Sequence, residues 1–284
     1  MIFERYESIE RFKNEVEPFL EKNEVINSLP LGIVEALSNN INRYGDKKPF
    51  LGLIKDDKEN IILTTIMTPP HNLIVTGEGH NLEEAVIEAV NYLINQNIKI
   101  PGVIGISNVA EMFVNLWIHK TGSILETTMS QRIYRLDKVN NVTDSPGRLR
   151  KADMQDFDLI KEWASNFIED CFGEGLTDER AEKTALNLID DKRLFIWDDN
   201  GPVSMACKNR PTKNSIAIGE VYTPPIYRGK GYATSCVAAL SQLLLDEGYK
   251  FCSLYTDLAN PTSNSIYIQI GYKPIADSIM YSFK

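Results

Sequence analysis

An α/β chain of two tandem domains on one plan is what this sequence predicts, on three observations. Its 284 residues exceed what one hydrophobic core usually organises. The same order of helical and strand patterns runs through each half. Two landmarks also recur at nearly one offset. Thr-Pro-Pro begins at Thr68 and again at Thr223, 155 residues on, and Gly122 and Gly271, which end the last helix of each half, lie 149 apart.

The first half opens with helical patterns in "ESIERFKNEVEPFLEK" and "LGIVEALSNNINRYG". Strands follow in "KPFLGLIKDD" and "NIILTTIMT", with a turn around Asp57 to Asn60 between them. In "NLEEAVIEAVNYLINQN", Leu82, Val86, Val90 and Leu93 recur at helical spacing, and Asn81 stands where a cap belongs. A strand "GVIGIS", a helix "VAEMFVNLWIHKTG" and a strand around "TTMSQRIYRLD" complete the cycle. Lys138 to Gly147, "KVNNVTDSPG", is polar, turn-rich and interrupted by Pro146, the composition of a linker. The expected domains are therefore 1–140 and 141–284.

The second half repeats the order. A short strand "RLRKA" leads to helices in "DMQDFDLIKEWASNFIEDC" and "TDERAEKTALNLIDD". Strands come in "RLFIWDD", "PVSMACKN" and "SIAIGEVYT", then a helix in "GYATSCVAALSQLLLDEG", a strand "FCSLYTD", a short helix "NPTSNSIYIQIG" and a closing strand near "SIMYSF".

Composition narrows the function classes. Hydrophobic content of 43% and charged content of 24% are those of a globular protein, and no apolar run is long enough to span a membrane. The formal charge of -9, with no long basic run, argues against a nucleic-acid partner. The N-terminus carries charges where a signal peptide is apolar, so secretion is not expected. Cys171, Cys207, Cys236 and Cys252 form no C-x-x-C, and His71, His80 and His119 show no i, i+4 pair. Reduced thiols in a cytoplasmic protein without a metal site are the expectation.

The segment "EVYTPPIYRGKGYATS", Glu220 to Ser235, carries the chemistry. Pro224 and Pro225 have no N–H, so the strand through Val221 and Thr223 stops donating to a neighbour there. "RGKGYA" then enters a helix whose first N–H groups and dipole favour an anion. Gly229 and Gly231 permit a tight turn and a close approach, and Arg228 and Lys230 add positive charge. The segment is built to hold phosphate beside an opened strand. It is not a P-loop, because Tyr232 follows Gly231 where Lys and Ser/Thr are needed, nor a dinucleotide fingerprint, whose third glycine would stand at Thr234.

Arg228, Gly231 and Ala233 instead satisfy Q/R-x-x-G-x-G/A, and the segment resembles the acyl-CoA signature of the GNAT superfamily of N-acyltransferases. "NPTSNSIYIQIGY" is similar to that superfamily's closing helix, matched by Asn260, Ser263, Tyr267, Gly271 and Tyr272. The resemblance is specific over about Arg148 to Lys284 and architectural over the first half, where it is to tandem proteins with one degenerate domain. It implies a mixed, mostly antiparallel sheet in each domain, flanked by helices and split at the acyl-CoA-binding strand. It implies acetyl-CoA as cosubstrate and a primary amine, on a small molecule or a peptide, as acceptor. Backbone groups of Val221, Tyr222 and Thr223 would face the pantetheine arm and thioester. The turn of Arg228, Gly229, Lys230, Gly231, Tyr232, Ala233 and Thr234 would hold the pyrophosphate, with Asn260, Ser263 and Tyr267 on the closing helix.

Acyl transfer to an amine needs a proton acceptor, since an alkyl amine has a pKa near ~10.4, and a proton for the departing thiolate. Tyr267 is the expected acid; Glu220 is the first choice of base and Asp257 the second. Each has a plainer reading. Asn260 before Pro261 is an ordinary helix start, Gly271 an ordinary stop, Tyr267 a possible core aromatic and Glu220 a polar strand residue. "TPPHNLIVTGEG" in the first half supplies neither the glycines nor the cations, so that half is expected to bind no CoA. A non-catalytic CoA-binding or regulatory module, and an aminoacyl-tRNA-dependent transferase, are the alternatives.

Overall fold

The computed structural model describes residues 1–142 and 145–284; Thr143 and Asp144, in the expected linker, lie outside the described residues. The chain forms two compact units. The first comprises Met1–Ile133, Tyr255–Ala259 and Pro274–Lys284, and the second Tyr134–Leu254 and Asn260–Lys273.

In the first unit the described order is β1 (Ile2–Tyr6), α1 (Ile9–Glu21), α2 (Ser28–Asn39), β2 (Phe50–Lys55), β3 (Ile61–Met67), β4 (Leu73–Gly77), α3 (Leu82–Asn95), β5 (Gly102–Ile106), α4 (Ser107–Thr121) and β6 (Leu125–Leu136), whose last residues enter the second unit. Strands β1 to β4 pair antiparallel in sequence order, β4 runs parallel to β5, and the chain's final strand, β12 (Lys273–Phe283), pairs antiparallel with β5 from Ser278↔Ile106 to Ser282↔Gly102. Helices α3 and α4 cover one face through Ala89, Val90, Phe113 and Trp117. Helices α1 and α2 cover the other through Phe12, Val16, Leu20 and Val34.

The second unit repeats that order in β7 (Arg148–Lys151), α5 (Phe157–Phe172), α6 (Asp178–Asp190), β8 (Leu194–Asp198), β9 (Pro202–Asn209), β10 (Ser215–Tyr222), α7 (Tyr232–Asp246), β11 (Phe251–Asp257, whose last residues return to the first unit) and α8 (Pro261–Ile270). Strands β7, β8, β9 and β10 are antiparallel, and β10 runs parallel to β11. Helices α7 and α8 bury Cys236, Leu240, Tyr267 and Ile270 on one face of this sheet. Helices α5 and α6 bury Ile160, Trp163, Ala185 and Leu188 on the other. The mixed, mostly antiparallel sheet with helices on both faces is the architecture expected.

Three readings of the sequence need correction. Strand β1 hides in "MIFERY", which precedes a helical pattern without a break, and β4 hides in "LIVTG". Because β4 exists, the first Thr-Pro-Pro lies in the turn between β3 and β4, whereas the second follows β10, the counterpart of β4. The two Thr-Pro-Pro stretches are therefore not equivalent. The offset of 149 from Gly122 to Gly271 is the informative one, since both end corresponding helices in the left-handed conformation. Lastly, the closing strand assigned to the second cycle belongs by its pairing to the first unit, where it covers the edge of β5.

The expected linker is no loose tether where it is described. Asn140 donates its N–H to Ile270 O at 2.8 Å and its side-chain amide to Gln269 O at 3.1 Å, which holds it on the end of α8. The Trp197 indole donates to Pro146 O at 2.9 Å. Arg150 adds a clamp, reaching Asp156 at 2.7 and 2.8 Å and Asp198 at 2.8 Å. Burial pushes the Asp156 carboxyl up, yet the guanidinium and the Asp153 N–H more than offset that and hold it below its ordinary value.

Candidate active site

The site is built where β10 leaves its ladders. Its parallel pairing with β11 runs from Ser215↔Phe251 to Ala217↔Ser253, and β10 continues to Tyr222 beyond it. On its other edge the register with β9 slips, from Gly219↔Cys207 to Tyr222↔Met205, so that one extra residue bulges out. Glu220 takes the strain with φ 53°, a left-handed conformation that few non-glycine residues adopt. The bulge re-aims the strand immediately before the prolines. Val221 packs on the α7 side of the sheet and Tyr222 on the α5 side, where its ring meets Trp163 edge-on at 6.0 Å. The Tyr222 carbonyl accepts the Ser204 hydroxyl at 3.2 Å, and Ser204 and Thr223 share a hydroxyl hydrogen bond of 2.8 Å.

Nine residues, 223–231, connect β10 to α7. Arg228 braces this loop: its Nε donates to Thr223 O at 2.9 Å and its Nη2 pairs with Asp170 on α5. Gly229 and Gly231 both have positive φ, 76° and 81°, and Gly231 is the N-cap of α7. A Cβ on Gly229 would meet nothing within 4 Å, while one on Gly231 would stand 2.6 Å from Ser145 Oγ. Ser145 fastens the turn from behind, donating its hydroxyl to Lys230 O and its N–H to Ser235 Oγ, both at 2.8 Å. Within α7 the first i to i−4 bond is Ser235 N–H to Gly231 O, so the N–H groups of Tyr232, Ala233 and Thr234 come before the helical ladder starts. Lys230 is exposed, with its ammonium 5.7 Å from the Tyr227 ring centre, and Tyr232 is tied to Asp199 at 2.6 Å. Open space at Gly229, unladdered N–H groups and an exposed cation suit a pyrophosphate.

The corresponding connection in the first unit, from β4 to α3, has four residues, 78–81. It is too short to make such a turn. Its charges are reversed as well, with Glu78 in the connection and Glu83 and Glu84 in the first turn of α3. A phosphate would meet repulsion there.

Tyr267 lies on α8, buried against Tyr134 and Tyr272 at ring separations of 6.4 and 5.9 Å. Burial, with Cys171 as a lesser cause, pushes its phenol up, so it stays protonated throughout the neutral range. Asn260 caps α8 by accepting the Ser263 N–H at 3.0 Å, which is the plainer role foreseen for Asn260. Glu220 is half-buried with its carboxylate withdrawn from water. Desolvation raises its pKa against the opposing pull of Arg193, a hydrogen bond from Asn209 at 3.4 Å, and Arg210. Asp257 falls in the first unit and accepts the Ala259 N–H at 2.8 Å. The structure thus collects Glu220, the turn and Tyr267 in the second unit and places Asp257 outside it.

Sequence reasoning missed Asp170, Ser145, Asn209 and Arg193. None stands in a motif; Asp170, Ser145 and Arg193 reach the site from distant stretches of chain, and Asn209 from the neighbouring strand. Among the described residues no group of three or more His, Cys, Asp or Glu could hold a metal ion, and no helix is long and apolar enough to cross a membrane. The four cysteines are free thiols; Cys207, Cys236 and Cys252 are buried and Cys171 is exposed.

Residues 158–272 match the model of the Acetyltransferase (GNAT) family. Among curated proteins none matches the chain. Solved structures share its fold at low identity. A protein of Drosophila aligns over 100% of this chain and 98% of its own at 13% identity and a TM-score of 0.69. An acetyltransferase of the GNAT family from Colwellia psychrerythraea aligns over 100% of both chains at 14% identity and 0.60. A tandem GNAT protein from the clavulanic acid biosynthesis pathway aligns over 98% of this chain and 97% of its own at 10% identity and 0.57.

Proposed function

We propose that the chain belongs to the GNAT superfamily through its second half, where residues 158–272 match the family, and that it is a cytoplasmic N-acetyltransferase. It moves the acetyl group of acetyl-CoA to a primary amine on a small molecule or a peptide, with catalysis in the domain 141–284 and a degenerate domain at 1–140. The observation that carries this reading is the braced two-glycine turn at the start of α7, directly after a bulged strand that ends in two prolines.

In this reading the N–H groups from Gly229 to Thr234, with Lys230, hold the pyrophosphate, and Arg228 keeps the loop in shape. The backbone freed around Val221 by the bulge takes the pantetheine arm and the thioester carbonyl. Glu220, its pKa raised by burial, accepts the proton that the acceptor's ammonium must lose, directly or through water. As the new C–N bond forms and the C–S bond breaks, Tyr267 gives its proton to sulfur, a role that its buried and protonated phenol fits. Asn260 and Ser263 set the start of the helix that carries it.

The test is release of free thiol from acetyl-CoA in the presence of a panel of primary amines, among them polyamines, amino sugars, amino acids and short peptides. At least one amine should raise the rate well above hydrolysis in its absence. Tight acetyl-CoA binding with no amine-dependent release across the panel would leave a CoA-binding module instead.

A further inference from the structure

The proposed base does not stand alone, and the residues around it form a chain with a fixed direction. Arg193, just before β8, donates from Nη1 to Asn209 Oδ1 at the end of β9. Cys207 Sγ donates to the same oxygen at 3.3 Å. Two donors on Oδ1 settle which way the amide faces, so Nδ2 is turned to Glu220 Oε1, 3.4 Å away. Arg193 is itself steadied by Asp191, 3.3 Å from its Nε.

We propose that Asn209, oriented by Arg193, is the positioning residue for the Glu220 carboxylate: it fixes the side chain that the bulge presents. This rests on the reading of Glu220 as base. The bulge gives such a device a purpose, because a left-handed Glu with a desolvated carboxylate lacks a regular strand neighbour to hold it. The charged and titratable groups facing Glu220 are Arg193 from the β8 side, and Cys207 and Arg210 from β9 and its end. Both cations favour the carboxylate, and Asn209 supplies a neutral donor. The Cys207 thiol, itself raised by burial, remains protonated and so keeps donating to Asn209. A Cβ at Gly219 would stand 3.3 Å from Asn209 Nδ2, close enough to press on this amide.

Carbon-13 carboxyl NMR of glutamate-labelled protein reads the titration directly, with Glu220→Gln identifying the signal, and needs no knowledge of the acceptor. Asn209→Asp keeps the shape but sets an oxygen, and at neutral pH a second negative charge, against Glu220. Its midpoint should rise by about one pH unit or more, and that of Asn209→Ala by less. With the best amine of the acceptor panel, the acidic limb of kcat/KM should move by the same amount, while KM for acetyl-CoA stays unchanged. A midpoint unmoved in both variants overturns the positioning role. If the melting temperature shows that neither of these variants folds, Asn209→Ser decides by the same readout, since it removes the amide donor and leaves both cations in place: a raised midpoint supports the positioning role and an unmoved one overturns it. Failure of the underlying reading looks different: Glu220→Gln then keeps its kcat, whatever the NMR titration shows.

Discussion

Tyr267 and Glu220 are each asked to do what their surroundings make costly for an ordinary residue. Tyr267→Phe removes one hydroxyl and little volume from a ring held between Tyr134 and Tyr272, so packing should survive. General acid catalysis is typically worth a factor of roughly 10² to 10⁴, and kcat should fall by that much while melting temperature and CoA affinity stay near normal. A kcat within about twofold of wild type would reduce Tyr267 to a core aromatic. Glu220 gives a pH signature of its own. Its pKa is raised on folding, so the unfolded chain holds fewer protons than the folded one between the two values, and stability falls as pH rises through that window. Below the unfolded value, near ~4.3, both states are protonated and the cost is absent. Glu220→Gln removes an ionisation that folding opposes. It should melt higher than wild type at pH 8 and lose that advantage toward pH 4, whereas equal differences at both ends would contradict a desolvated carboxylate. Both residues stand out in the sequence only because of the motif that each adjoins. Asn209 and Arg193 are illegible there, because what aims them is the β9–β10 pairing and the slip in its register.

At the scale of elements, the sequence shows what is periodic and hides what is short. The amphipathic helices and the second half's strands are readable from their apolar spacing, and the turn proposed to hold phosphate is readable from its glycines, which both have the positive φ that their residue type permits. Strand β1 merges into the helix pattern behind it. Strand β4 lies just past two prolines and a His-Asn pair, where turn residues suggest that a strand has ended rather than begun. That one missing strand made two unrelated Thr-Pro-Pro stretches look equivalent. With β4 in place, the counterparts to compare are the connections 78–81 and 223–231, and these predict a graded series. Gly231→Ala combines a strained φ with a Cβ placed 2.6 Å from Ser145 Oγ, while Gly229→Ala has the strained φ and open space. Acetyl-CoA affinity should fall more for the first than for the second. His80→Ala, in the first unit's short connection, should leave it unchanged. Gly77 is unsuitable as that control, since a Cβ there would stand 2.6 Å from Ile62 O and harm the strand itself. Calorimetric titration of the three variants gives the order, and equal losses at positions 80 and 231 would refute the division between the halves.

For the whole molecule, one plan written twice and equipped once implies a stoichiometry. Both units have a parallel strand pair joined over three residues, β4 with β5 and β10 with β11, but the register slip and left-handed Glu of β10 have no counterpart in the regular β3–β4 pairing. The connection to the next helix differs as well, in its length and in its charge. Strand geometry without an anion-binding turn gives little hold on a ligand whose 3′,5′-ADP end carries much of its charge, and carboxylates at the start of α3 oppose it. One acetyl-CoA should therefore bind per chain, and Gly231→Val should abolish that binding rather than halve it. Because the ligand binds the folded state selectively, it should also raise apparent stability, by about 2.7 kcal/mol when it stands a hundredfold above its dissociation constant. Thermal melts of wild type should climb with acetyl-CoA concentration, and those of Gly231→Val should not. Two equivalents bound to wild type, or a melt shift that persists in Gly231→Val, would mean that the first unit takes the cosubstrate in spite of its short, acidic connection.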